Sequence, residues 1–284
     1  MYDGTNYEGF QLQPGRPTVQ GVLETRLAQR YQLNVPVVAS GRTDAGVHSK
    51  GLAVHFDLPN PNENLDELMY KVNRMLPEDV RIWNASHAPP PEPFQREQGL
   101  PWNAMTNARS KVYSYRLFFG DILSPMERLY RVQAQRAALS REVDRDLLLR
   151  SLPEFVGRHD FAGFANKKEK KAREKLASGK GEYCTVREVY AIQAVDEGGG
   201  NLRLDFHLSG ALYRMVRNMV GTMLAISSGR VGPEAVQEIL ATGTRDANKI
   251  YSAPAHGLTL ENVLYDGYGY MEDDLFTRCR KGGQ

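Results

Sequence analysis

Gly41-Arg42-Thr43-Asp44-Ala45-Gly46-Val47-His48 puts one carboxylate, one guanidinium and two glycines into eight residues lying between two apolar runs. Upstream, Val35, Val37, Val38 and Ala39 read as a short β-like run. Downstream, Leu52, Val54 and Phe56 alternate with small or polar residues, the period of a half-buried strand. The octapeptide is therefore expected to be a strand-to-strand loop, where a rigid scaffold presents reactive groups. If the loop is extended, Arg42 and Asp44 face the same side and meet. A nearby cation favours an ionised carboxylate, available as a nucleophile. An Asp among glycines is more often a solvated turn residue, so the octapeptide must be weighed as a whole.

As a whole it resembles the active-site motif of the tRNA pseudouridine synthase A family, G-R-T-D-A-G-V-H. Further segments follow in the family's order. Tyr2-Asp3-Gly4-Thr5-Asn6-Tyr7-Glu8-Gly9-Phe10-Gln11 matches Y-D-G-T-x-Y-x-G-F/W-Q. Thr18-Val19-Gln20-Gly21-Val22-Leu23-Glu24 matches T-V-Q-x-x-L-E. Leu76 to Arg81, Ser110 to Tyr115, Gly157 to Phe161, Met215 to Gly221 and Ala253 to Leu258 complete the set, so the resemblance spans residues 2 to about 266.

The resemblance implies a pseudouridine synthase fold: two similar subdomains sharing a largely antiparallel central sheet flanked by helices, with the active cleft across the sheet. It implies isomerisation of uridine to pseudouridine on the 3′ side of the tRNA anticodon stem-loop, by a homodimer holding tRNA. It makes Asp44 the catalytic residue, Arg217 its partner, and Tyr113 the ring on which the uracil stacks and a candidate proton relay. Arg42 either pairs with Asp44 or holds a phosphate of the flipped nucleotide. Whether Asp44 attacks the ribose C1′, attacks C6 of the base or assists elimination is open at this level. The reaction is redox-neutral, and neither a dinucleotide fingerprint nor a P-loop is present, so no cofactor is expected. Two rivals are a synthase acting on another RNA and a catalytically impaired RNA-binding protein or chaperone. The retained Arg42, Asp44, Tyr113 and Arg217 argue against the second.

Composition fits this frame without requiring it. The 284 residues, 41% hydrophobic and 25% charged, suit one large domain or two intimate ones. No apolar run approaches the roughly 18 residues of a membrane span. Cys184 and Cys279 are too few for a disulfide framework, and the scattered histidines offer no metal-ligand pair. No metal is expected. The net charge of +2 is a weak signal for a polyanion partner, but residues 167–180 carry +5, leaving −3 elsewhere. Lys167, Lys168, Lys170 and Lys171 are the candidate tRNA-backbone contacts there, against an alternative as a solvated insertion loop.

Periodicity predicts helices from Val19 to Tyr31 behind a Thr18 cap and from Leu65 to Leu76 before Pro77. It predicts a strand from Lys111 to Phe119, a helix from about Ser140 to Leu152, and a hairpin of Arg187 to Val195 with Leu202 to Leu208. A long helix from Ala211 to Ile226 follows, then a short one between Pro233 and Gly243 and a last strand from Leu258 to Tyr265. Arg217 sits at the edge of the long helix's apolar stripe, one turn from Gly221, whose missing side chain allows another segment close. Prolines 89, 90, 91 and 93 mark a boundary. The division expected is 1–104 with the Asp44 loop, 105–266 with the basic insertion, and a polar tail at 267–284.

Two departures from the family pattern are visible. The family has a strand leading into Y-D-G-T, whereas Met1 directly precedes Tyr2, so either the sequence is cut short or the first strand is missing, which would leave a sheet edge open. No transit peptide is legible, but the start looks truncated and one could have been lost, so cytoplasmic and organellar locations are both open. Where the family often has F-H-A-R, this chain has Trp102-Asn103-Ala104-Met105, so that arginine's phosphate or base contact is not expected here.

Overall fold

The computed structural model describes residues 1–166 and 184–266. The basic segment, including Lys167, Lys168, Lys170 and Lys171, and the tail from 267 lie outside the described residues.

The N-terminal layer is built on two amphipathic helices. Helix α1, Val19–Tyr31, starts where the Thr18 hydroxyl accepts the Gly21 N–H, and turns Val19, Leu23 and Leu27 inward at four-residue spacing. It stops at Gln32, which is left-handed at φ 55°. Strands β1, Val38–Ala39, and β3, Val54–His55, pair antiparallel beside it, with the two-residue β2, His48–Ser49, between them in sequence. Helix α2, Leu65–Met75, is capped by the Asn64 side chain and buries Leu68 and Val72. These residues close one hydrophobic core with Tyr2, Tyr7, Phe10, Val35, Val37 and Val80. Each such side chain contributes about 1.5–3 kcal/mol on burial.

The larger layer is a mixed but mostly antiparallel sheet. Its strands are β2, β4 (Ser110–Phe118), β5 (Val132–Gln133), β6 (Gly157–Asp160), β7 (Val186–Gly198), β8 (Asn201–Leu208) and β9 (Leu258–Leu264). They run in the order β2-β9-β4-β8-β7-β6, with β5 parallel to β4 off this path. The β7–β8 hairpin turns at Gly199-Gly200, as its chemistry predicts. Tyr113, Tyr115 and Leu117 of β4 and Leu202, Leu204, Phe206 and Leu208 of β8 belong to one core with the long helix.

Three short helices, α3 (Pro93–Glu97), α4 (Ala134–Ala137) and α5 (Arg145–Arg150), precede that long helix, α6 (Met215–Ser227). Every residue of α6 is buried except Arg217. A helix apolar on nearly all sides is a core element, and its one incompletely buried residue, a cation, is conspicuous. Helix α7, Ala235–Thr242, ends on Gly243 in the left-handed region.

Two elements differ from the sequence reading. The helix expected from Ser140 starts only at Arg145, because Leu139 and Ser140 are left-handed (φ 60°) and Asp144 supplies the actual cap to Leu147. Helix α6 starts four residues later than expected, at Met215, because Arg214 is left-handed at φ 62°. Residues 211–214 are thereby freed to line a cleft.

At the chain start a single residue bridges the edge where the first strand is expected to be missing. Tyr2 bridges Ser49 on one side and Val80 on the other, and its backbone N–H and C=O both bond Ser49. The two flanking chains continue past this one-residue bridge along an apolar cavity of 320 Å³, which α1 and α2 help to line. Strand β2 pairs parallel with β9 on its other side, His48 opposite Thr259 and Ser49 opposite Leu260. The octapeptide therefore runs from the small sheet to the large one and is clamped between the two layers.

Candidate active site

The Asp44 loop is held mainly by the chain start and by β9's neighbourhood. Phe10 N–H donates to the Thr43 carbonyl, Gly46 N–H to the Tyr7 carbonyl, and the Tyr2 and Thr43 hydroxyls lie 2.7 Å apart. Gly9 permits this clasp. It sits at φ 93°, and a Cβ there would stand 2.6 Å from the Thr43 carbonyl oxygen. At the far end of the loop, His48 Nε2 lies 2.8 Å and 3.1 Å from the carbonyls of Leu129 and His256. Two acceptors there put the proton on Nε2, so Nδ1 accepts from the Gly4 N–H. The Asp3 carboxylate lies 3.0 Å from the same Nδ1. His48 thus braces three segments, while His159 meets the nearby Val156 carbonyl and packs edge-on against Phe161.

Asp44 pairs with Arg217 at 3.0 Å from Oδ2 to Nη1, with the two side chains 15% and 11% exposed. The second nitrogen of the fork, Nε, donates to the Ala253 carbonyl at 2.7 Å, and Ala253 N–H returns a bond to the Arg217 carbonyl. Gly221, one turn on, makes this docking sterically allowed. A Cβ there would come within 1.8 Å of the Tyr251 carbonyl oxygen. A guanidinium fixed at two nitrogens is a preorganised partner for a carboxylate.

The expected meeting of Arg42 with Asp44 does not occur. The argument from alternation requires an extended chain, and residues 40–47 bend and turn instead, with Val47 N–H closing on the Asp44 carbonyl. Arg42 is exposed and makes no hydrogen bond to the described residues; it lines the same cleft as Asp44.

Tyr113 rises from β4 on the face turned to α6 and is 7% exposed. Burial, reinforced by the Asp44 charge, holds its hydroxyl well above the usual phenol range, so it stays protonated. The next tyrosine on that face, Tyr115, is fully buried and donates to the Pro254 carbonyl, a core role.

Asp44, Tyr113, Arg217 and Arg42 all line one open cleft of 1270 Å³. Among its described lining residues the cations are Arg42, Lys111, Arg187, Arg214 and Arg217, against the carboxylates Glu8 and Asp44. This positive excess is invisible in a net charge of +2, because it gathers side chains far apart in sequence. Lys111 and Arg187 were not singled out by sequence reasoning. The one available signal was Lys111's place two residues before Tyr113, on the same face of a strand.

Met105 of the divergent segment lines the cleft at 48% exposure. Trp102 packs against His55 and Tyr265, and Ala104 is buried with its carbonyl accepting the Tyr265 hydroxyl. This segment is thus a tie between layers that presents a thioether to the cleft. Among the described residues no group of three His, Cys, Asp or Glu side chains is placed to hold a metal ion, and no helix is long and apolar enough to cross a membrane.

Comparison with known proteins agrees with this architecture. A family model described as "tRNA pseudouridine synthase" matches residues 1–92 and 152–266. The chain is similar to a tRNA pseudouridine synthase A of Bacillus pumilus, at 32% identity over 267 residues, covering 93% of this chain and 96% of the relative. It is 34% identical over 277 residues to that of Limosilactobacillus fermentum, covering 96% of each chain. It is 35% identical over 268 residues to that of Geotalea daltonii, covering 93% of this chain and 96% of the relative.

Proposed function

This chain belongs to the tRNA pseudouridine synthase family, and from that premise we infer that it converts uridine to pseudouridine in tRNA, with Asp44 as the reacting carboxylate. The observation that carries the assignment of Asp44 is its ion pair with Arg217 inside a cationic cleft that Tyr113 also lines.

The reaction breaks the N-glycosidic bond of a uridine, turns the uracil and rejoins it through C5. It needs a carboxylate at the sugar or the base, as a retaining glycosidase does. Arg217 engages Oδ2 of Asp44, which leaves Oδ1 as the oxygen free to face the substrate. The target base must leave its stack at a cost of a few kcal/mol. Stacking on an aromatic ring returns about 1–3 kcal/mol. Tyr113 has the position for this, and its hydroxyl, held protonated, is available as a hydrogen-bond donor and not as a resting base. Arg42, exposed at the cleft and without a protein partner among the described residues, is suited to a phosphate of the flipped nucleotide.

The substrate region is the anticodon arm and the working form a homodimer, both on family resemblance. Lys167, Lys168, Lys170 and Lys171 add backbone contacts, on the charge of their segment alone. The subdomain division at about residue 104 is supported by two separate hydrophobic cores, although Val47 of the first segment joins the second core.

Tritium release from C5-labelled uridine in tRNA tests the reading directly. The wild type should release tritium. Asp44→Asn should release none while binding tRNA within a few-fold of wild type, because an amide keeps the shape without the nucleophile. Retention of a tenth of wild-type turnover by that variant would remove Asp44 from the chemistry. Binding without release by the wild type would make the chain an RNA-binding protein instead.

A further inference from the structure

Lys111 and Arg187 face the cleft as two cations with no carboxylate on either among the described residues. Strand register puts them together. Lys111 of β4 lies opposite Leu208 of β8, which lies opposite Val189 of β7, and Arg187 is two residues from Val189 on the same face. Lys111 is likewise two residues from Tyr113, about 7 Å along the strand. The pair therefore stands at the end of the cleft floor, next to the ring assigned to the base.

Among the described residues their hydrogen bonds go to backbone carbonyls. The Lys111 ammonium donates to Ser40 at 2.9 Å, using one of three donors. Arg187 Nη1 donates to Cys184 and Val186 at 2.9 and 2.7 Å. Burial, with the Arg187 charge as a second cause, pushes the Lys111 ammonium down to about 8. Like charges held together in a partly desolvated cleft disfavour each other, and an anion placed between them removes that cost. The loop also makes room for this arrangement. A Cβ at Gly41 would meet the Lys111 Nζ at 2.5 Å, so the first glycine of the octapeptide vacates the space that the ammonium occupies.

We propose that Lys111 and Arg187 together bind one phosphodiester of the RNA backbone adjoining the reacting uridine, an assignment that rests on the tRNA-uridine isomerase reading above. A phosphodiester fits because it offers two oxygens and one charge, one oxygen for the compact ammonium and one for the guanidinium fork. Its distance from Tyr113 ties it to a nucleotide next to the extruded base rather than to a remote part of the RNA. The contact positions the strand and reads no base.

The test is the salt dependence of tRNA binding by the full chain, run beside tritium release by the wild type. Lys111→Gln and Arg187→Gln should each weaken binding several-fold. The double variant should flatten the slope of log affinity against log salt by about 0.7–0.9, the contribution of a single phosphate. Lys111→Arg should keep the wild-type slope. If Lys111→Gln does not fold, Arg187→Glu decides alone, since its carboxylate neutralises Lys111 and the same loss of slope is expected. An unchanged slope in the double variant or in Arg187→Glu, with an active wild type, overturns the subsite. A double-variant loss of about twice that size overturns the sharing of one phosphate. A wild type that neither binds tRNA nor releases tritium overturns the functional reading, and the phosphodiester with it.

Discussion

Arg217 is held at two nitrogens, one on the Ala253 carbonyl and one on Asp44, so its role cannot be separated from the backbone that carries it. Tyr113 is simpler, because its hydroxyl and its ring are separable by mutation. Tyr113→Phe should retain tRNA affinity within about three-fold, since the stacking face remains. A fall in single-turnover rate at saturating tRNA would then isolate proton transfer. Tyr113→Ala should lose affinity as well, and equal turnover of Ala variant and wild type would return the residue to the core.

Lys111 supplies a prediction in pH. Its folded-state value near 8 is below the ordinary 10.5, so between those pH values the unfolded chain holds a proton that the folded chain has released. Stability from this group therefore rises as pH increases from about 8 to 10.5, by at most about 3 kcal/mol. Lys111→Met should lack that rise, so the stability difference between it and wild type, from urea unfolding at pH 7.5 and about pH 10, should shift in favour of the wild type at the higher pH. No change in the difference would mean that Lys111 is well solvated.

At the scale of the element, α6 does two jobs through one glycine. Its buried sides fill the core against the sheet, and Gly221 lets the 251–253 segment lie directly on the helix backbone. That contact places the Ala253 carbonyl where Arg217 needs it. Gly221→Ala would force the helix off a main-chain carbonyl, which cannot swing aside as a side chain tip does. A loss of about 2–3 kcal/mol in urea unfolding is expected, of the order of overpacking in a tight core. Turnover should fall further than tRNA affinity, because the Asp44 partner moves with the helix. A variant of unchanged stability would show that 251–253 yields freely.

At the scale of the molecule, the cleft is lined from residues 8–13 and 40–47 on through 258 and gathers cations from segments far apart in the chain. The basic residues 167–180 bear on the same polyanion, although they lie outside the described structure. Replacing Lys167, Lys168, Lys170 and Lys171 together by Ala should flatten the salt slope of tRNA binding by up to about three if all four meet phosphates. The choice of uridine should not change, because phosphate contacts position and base contacts specify. A wild-type slope would leave that segment solvated and the tRNA held by the cleft alone.

Much of this protein was determined by the sequence itself. Thr18 and Leu23 declare α1, Gly199-Gly200 declares the hairpin, and the run from Gly41 to His48 declares the loop, because caps, turns and periodicity are local rules. Gly221 also marked the close approach beside Arg217 before any contact was known. Family resemblance named Arg217 as the partner of Asp44, but no local rule did, and the tertiary structure decided between it and Arg42. The local argument pointed to Arg42, two residues away, and the fold chose Arg217, 173 residues away. The loop bends where an alternating strand would have faced the two side chains together, and β2 is drawn into register with β9. The pairing of Lys111 with Arg187 likewise exists only through the register of β4, β8 and β7. Side chains that meet across strands or layers are set by packing, and no spacing in one segment encodes them.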